Sequence, residues 1–185
     1  GALQLPLNDV GVMALDYDGH KGIATSIGHA AASALIDEKA GSRNAIAESL
    51  TNIVWAPLKD NLTSVSLSAN WMWPCKNEGE DARLFKAASA ASDFAVELGI
   101  NIPTGKDSLS MTQKYKDQVV YAPGTVIISA AAEVSDIRKI VEPVLVNDPE
   151  SRLIYIDFSA DEFRLGGSSF AQHLSRLGSE APTVK

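Results

Sequence analysis

The chain has 185 residues, 45% of them apolar and 21% charged, the balance of a soluble globular protein with material for one sizeable core, or for one domain and part of another. A net charge of −7 without any Lys/Arg cluster argues against a nucleic-acid partner, and no apolar run approaches the ~20 residues that span a membrane. Cys75 is the only cysteine, which rules out an internal disulfide and a cysteine zinc cluster and suits a reducing, cytoplasmic setting.

The start, Gly1-Ala2-Leu3-Gln4, lacks the basic segment and apolar stretch of a secretory signal. Gly1 in place of Met, and a stop at Lys185 soon after a new unit begins, lead to the expectation of a piece of something longer. Val10 to Tyr17 and Gly22 to Ile27 read as strands joined by a hairpin at Asp18-Gly19. From Ser42 to Trp55 the period is helical: Ile46, Ala47, Leu50, Ile53 and Val54 form an apolar face, with Asn44, Glu48 and Asn52 opposite. Leu62 to Trp71 alternates as a strand, with Val65, Leu67 and Ala69 on one face. A second helix, Glu80 to Leu98, has the stripe Leu84, Ala88, Ala91, Ala95 and Leu98, an acidic first turn and Gly99 as its C-cap.

Ile100 to Thr104 is short and extended and leads into a loop at Gly105. Val119 to Tyr121 and Thr125 to Val134 read as a strand pair joined through Pro123-Gly124. Two long helices with several strands, some in hairpins, predict an α+β fold: a mixed or antiparallel sheet with both helices on one face. After residue 143 the texture changes. Asn147-Asp148-Pro149 resembles a linker, Leu153 to Phe158 a strand, and Gly166-Gly167-Ser168-Ser169 the start of a helix through Leu177. The expected organisation is therefore a domain over residues 1–143 and the opening strand and helix of another over 144–185. The Gly-Gly-Ser-Ser start has two readings, an anion site at free N–H groups or a plain turn into an amphipathic helix.

The densest chemistry lies in Thr104-Gly105-Lys106-Asp107-Ser108-Leu109-Ser110-Met111. Glycine permits close approach to a ligand, lysine neutralises phosphate, a carboxylate holds Mg²⁺ and hydroxyls meet a substrate. A polar loop around a glycine turn is the alternative. Glu48 and Asn52, four apart on a helix, can face one ion, with Asp9 supplying another oxygen; a solvated helix face is the alternative. His20, His29 and His173 share no ligand spacing, and His29 is placed at a strand end where function gathers. Trp71 and Trp73 can share one side of an extended segment, and Cys75 has no motif partner.

Four strings, taken in order, resemble the large form of phosphoribosylformylglycinamidine (FGAM) synthase: Glu48-Ser49-Leu50-Thr51-Asn52, Leu67-Ser68-Ala69-Asn70-Trp71-Met72, Gly79-Glu80-Asp81-Ala82, and Ile102 through Met111. The resemblance implies the N-terminal subdomain of the second half of a synthetase region, with a fold similar to aminoimidazole ribonucleotide synthetase. It implies ATP-dependent amidation of formylglycinamide ribonucleotide with ammonia from glutamine, and, as partners, the remaining synthetase half and a glutaminase domain. By position it assigns Asp9, Glu48 and Asn52 to Mg²⁺ at a bound ATP or ADP, with Asn8 as a backbone contact to that nucleotide at an auxiliary, structural site. Gly105, Lys106, Asp107 and Ser108 align with the segment that meets catalytic ATP and substrate in smaller relatives. Those relatives carry Gly-Asn-Val-Ser there, so at Lys106 a phosphate contact replaces a metal ligand. Selenophosphate synthetases and thiamine-monophosphate kinases share the superfamily, but the Ser-Ala-Asn-Trp and Gly-Lys-Asp-Ser strings speak against them. A non-catalytic nucleotide-binding scaffold is the reading from another class. The exposed sheet that would meet the other half is also expected to allow a homodimer of the piece.

Overall fold

The computed structural model describes residues 7–160 and 163–185. Strand β1 (Val10–Ala14) and strand β2 (Gly22–His29) form the expected hairpin. The Asp16 carboxylate closes its turn by accepting from the N–H groups of Asp18 and Gly19. Along β2 the alternation is inverted from the usual sense. Gly22, Ala24, Ser26 and Gly28 are buried, while Ile23, Thr25, Ile27 and His29 face outward. The small residues let a helix lie directly on the strand. A Cβ on Gly28 would collide with the Ala45 carbonyl oxygen and with Ser49 N.

That helix is α2 (Glu38–Ile53), preceded by a short helix, α1 (Ala31–Ile36). It starts earlier than the predicted Ser42. Asp37 is the N-cap, its carboxylate accepting from Lys39 N at 2.9 Å and Ala40 N at 3.0 Å. Gly41, a residue that weakens helix propensity, is required here because a Cβ would strike the Ala34 backbone of α1. Ile46 and Ile53 are fully buried, each worth roughly 1.5–3 kcal/mol of transfer free energy. Ser26 Oγ donates to the Ser49 carbonyl at 2.6 Å inside this contact.

Strand β3 is Ser66–Met72, helix α3 is Glu80–Leu98 and strand β4 is Asn101–Ser108. Val65, Leu67 and Ala69 are buried as the alternation predicts. A turn of 3₁₀ helix, Asn61–Ser64, takes the first residues assigned to that strand. Gly99 ends α3 at φ 67°, the left-handed cap expected of it. The buried line of α3 runs through Ala87, Ala91, Phe94 and Ala95, because α3 packs on α2, where Arg43 lies 4.2 Å over the Phe94 ring.

Three further strands are β5 (Thr112–Lys114), β6 (Val119–Tyr121) and β7 (Thr125–Val134). The main sheet has the order β1-β2-β7-β3-β4, parallel only between β3 and β4. The fold is thus α+β, a mixed sheet with the long helices α2 and α3 together on one side, as predicted. Two local expectations are corrected. β6 pairs with β5, not β7. Gly124, at φ 61° against the Trp73 ring, turns the chain out of one sheet and into the other. The second correction is at Gly105, which lies inside β4 rather than in a loop. A Cβ there would collide with the Ala69 carbonyl oxygen, so glycine serves the close approach of β4 to β3.

Beyond the sheet, residues 151–158 carry no strand, contrary to expectation, and Leu153, Ile154 and Tyr155 are exposed. An apolar run becomes a strand only where another edge pairs with it. The predicted helix after Gly166-Gly167 is reduced to α4 (Ser169–His173), capped by Ser168 Oγ accepting from Ala171 N at 3.2 Å. The last residues return to α2: Arg43 donates to the Val184 carbonyl at 3.0 Å and Asn44 to the Pro182 carbonyl at 2.8 Å.

Candidate functional site

The sheet face away from α2 and α3 is open, and the register fixes what it displays. One row across the strands is Thr25, Ala131 and Ser66; the next is Ile27, Ser129, Ser68 and Thr104. These residues floor a cleft of about 750 Å³, and Asn8, Asp9 and Asn52 join them at the end nearest β1 and β2. Three of the predicted residues, the neighbours Asn8 and Asp9 and the distant Asn52, therefore line one recess.

Glu48 and Asn52 occupy successive turns of α2, and both reach the end of β2. The Glu48 carboxylate accepts from His29 N at 2.5 Å, and Asn52 Nδ2 donates to the Ile27 carbonyl at 3.0 Å. Each bond commits one atom and leaves one hard oxygen: the second Glu48 carboxylate oxygen and Asn52 Oδ1. With the Asp9 carboxylate, that donor set is the chemistry Mg²⁺ takes, two carboxylates and an amide, the remaining positions going to phosphate and water. The donor types suit the ion; Asp9 and Asn52 line the cleft, and Glu48 stands outside its lining, one turn before Asn52 on α2. His29 contributes its backbone and fixes Glu48. Asn44, the third member of the predicted stripe, is used instead to hold the C-terminal segment.

The Gly105–Ser108 segment is divided by its strand geometry. Lys106 and Ser108 share the open face, with Lys106 Nζ donating to Ser108 Oγ at 2.6 Å. Asp107 pairs with Trp71 and so points to the opposite face. None of Lys106, Asp107 and Ser108 lines the Asp9 cleft, which β4 reaches only through Thr104. The sheet thus presents two separate places for chemistry, one beside β2 and one on edge strand β4.

Asn70, level with Lys106 across the β3–β4 pair, is a residue that sequence reasoning missed. Its Oδ1 is buried without a hydrogen-bond partner, while the Lys106 ammonium turns to Ser108. The only signal was its place in the Ser-Ala-Asn-Trp string. Trp71 and Trp73 lie with ring centroids 6.5 Å apart, and Trp73 is fully buried with the Arg83 guanidinium 5.7 Å from its ring centre. Burial, then the carboxylates of Asp81 and Glu80, push the Cys75 thiol above its ordinary value, which fits an inert residue. Gly167 is packed against Ala32 and Ser33 of α1, so the Gly-Gly turn serves packing.

Residues 1–133 match the family model described as the FGAR-AT PurM_N-like domain. Over its whole length the chain is 43% identical to phosphoribosylformylglycinamidine synthase of Homo sapiens and 41% identical to a probable phosphoribosylformylglycinamidine synthase of Caenorhabditis elegans. It spans 14% of the length of each. Among solved structures, PurLQS from Thermotoga maritima matches with a TM-score of 0.61 at 19% identity, over 75% of this chain and 22% of that one. T. maritima PurL complexed with ATP matches with a TM-score of 0.55 at 20% identity, over 75% and 22%. At those identities the structures speak for the fold. With the family model covering most of its residues, the chain belongs to the FGAR-AT PurM_N-like domain family.

Proposed function

We propose that the chain is part of an ATP-dependent carbon–nitrogen ligase, the FGAM synthase that amidates formylglycinamide ribonucleotide with ammonia from glutamine. Residues 1–143 are its N-terminal subdomain in the second synthetase half, and 144–185 open the following subdomain. The observation that carries this reading is the match of the entire chain, at 41–43% identity, to enzymes bearing that name. A structure of T. maritima PurL complexed with FGAR shares the fold, with a TM-score of 0.55 at 19% identity.

In this reading Asp9, Glu48 and Asn52 hold Mg²⁺ and Asn8 contacts the nucleotide, while Gly105, Lys106, Asp107 and Ser108 serve the reaction. Bound ATP supplies the phosphoryl group that activates the substrate amide oxygen. Lys106 places a cation on the open face, where it can neutralise phosphate. Gly105 holds β4 close to β3 and so fixes the height of Lys106. Completion of the reaction needs the other synthetase half and the glutaminase domain.

The distance in the fold between the Asp9 cleft and Lys106 favours a second reading for the cleft itself, as a nucleotide and Mg²⁺ site that serves structure. The intact parent separates the two roles. Lys106→Ala is expected to lose turnover with folding intact, and Glu48→Ala to lose thermal stability and its response to Mg²⁺ and ADP. Wild-type turnover in Lys106→Ala would remove the catalytic assignment of β4.

A further inference from the structure

Asn70 stands on the open face of β3, between Ile127 of β7 and Lys106 of β4. Its Oδ1 is buried and accepts no hydrogen bond among the described residues. A buried acceptor without a donor has given up its bonds to water and gained nothing in exchange. Native proteins carry few such groups, and they gather where they have a use. Of the two cross-strand neighbours, Ile127 has no donor on its side chain. Lys106 has an ammonium with three N–H donors on a flexible stem, and the strands stand about 4.8 Å apart. Gly105 tightens the approach at this level: a Cβ there would strike the Ala69 carbonyl oxygen, so β4 lies hard against β3 one residue before Lys106.

The ammonium now donates to Ser108 Oγ at 2.6 Å and to the Asp107 carbonyl at 3.3 Å. The second bond is long, and giving it up loses little. We infer that Asn70 is a positioning residue for Lys106. When a phosphate arrives, the ammonium exchanges the Asp107 carbonyl for Asn70 Oδ1, keeps Ser108 Oγ and aims its third N–H at the phosphate. Before that, moving toward a buried seat would strip the ammonium of water, a loss that a bound anion offsets. Both seats are neutral, so they fix the cation without cancelling its charge. The inference rests on the reading of β4 as part of the reaction centre.

The test reads turnover in the intact parent and melting in this chain, for Asn70→Leu, Lys106→Ala and the double variant. Leucine removes the unmet acceptor at similar size, so the melting temperature of Asn70→Leu should hold or rise. Its turnover should fall about tenfold or more, the factor for losing a hydrogen bond to a charged group. The double variant should be no slower than Lys106→Ala, since Asn70 acts through the lysine. Wild-type turnover in Asn70→Leu, or losses that multiply in the double variant, would overturn the inference and leave Lys106 standing. A clear fall in melting temperature would make Asn70 a structural residue, with the same result. Wild-type turnover in Lys106→Ala would overturn the reading of β4 and the inference with it. Should Asn70→Leu fail to fold, Asn70→Ala takes its place in the same cycle.

Discussion

His29 and Lys106 stand at opposite ends of one cross-strand row. His29 pairs with Ile127, Ile127 with Asn70 and Asn70 with Lys106, so three strand spacings, about 14 Å, separate them on the same open face. The N–H of His29 is held by Glu48, so the row links the two groups of candidate residues without bringing them into contact. Groups this far apart with no shared partner act independently. The stability changes of Glu48→Ala and Lys106→Ala should therefore add in the double variant to within about 0.5 kcal/mol, as read from urea unfolding.

The contact of β2 with α2 makes Gly28 sensitive. Gly28→Ala would drive a methyl group into the backbone at Ala45 and Ser49, which cannot yield without moving the helix. A loss of about 2–3 kcal/mol is expected from overpacking. Ser26→Ala, two residues away, removes only its hydrogen bond to Ser49 and should cost about 1 kcal/mol. Urea midpoints of the two variants check the order, and equal losses would contradict it.

Asp136 governs part of the acid limit. The Arg138 side chain, then its N–H, hold the Asp136 carboxyl well below the ordinary carboxylate range. A depressed folded value gives stability that is present above the unfolded pKa of about 3.9 and is lost as pH falls through the folded one. Asp136 caps the 3₁₀ turn Ile137–Lys139, and Ile137 N donates to the His20 carbonyl at 2.8 Å, so protonation loosens the turn end of the β1–β2 hairpin. The melting temperature of Asp136→Asn should fall less between pH 5 and pH 3 than that of the unaltered chain.

Lys59 and Glu133 give a limit at each end. Their hydrogen bond, at 2.8 Å, and their mutual attraction lower Glu133 and raise Lys59. The Glu133 share of stability is lost as pH falls below the carboxylate range, and the Lys59 share as pH rises past the lysine range. Because both side chains are exposed, 0.5 M salt should erase most of the difference between the unaltered chain and Lys59→Met, measured at pH 7 by thermal melting.

Taken alone, the chain is expected to make no FGAM and release no ammonia from glutamine above a no-enzyme control. Its open face is expected to pair two copies at high concentration, and Ile27→Asp should return them to monomers in sedimentation. Turnover by the chain itself would refute the first expectation, and a monomer at every concentration the second.

The sequence revealed those elements whose signals are local. Val65, Leu67 and Ala69 announced β3, and Gly99 announced the end of α3, because alternation and a left-handed cap are written in neighbouring residues. What escaped was set by contacts across the fold. Gly41 hid the first turns of α2 until α1 was seen to lie against it. Gly105 read as a loop because its reason, the Ala69 carbonyl, lies on another strand. The pairing of β6 with β5 depends on Gly124 meeting Trp73, and the run 153–158 has no partner strand among the described residues. For the site, helical spacing suggested Glu48 and Asn52, whereas their attachment to β2, the orphaned Asn70 oxygen and the split between Lys106 and Asp107 belong to the register alone.

The inverted alternation of β2 has an effect on how mutations are judged. Its inward positions are small and intolerant, while Ile23 and Ile27, whose apolar side chains would ordinarily place them in the interior, face water. A screen that scores only folding of this chain would rank Ile27 as freely replaceable and Gly28 as vital. Under the proposed function, in which the open face meets the other synthetase half, a screen for activity of the whole enzyme is expected to reverse the ranking of Ile27, since a substitution harmless to the part can disable an assembly. Residues of that kind are invisible to stability data gathered piece by piece.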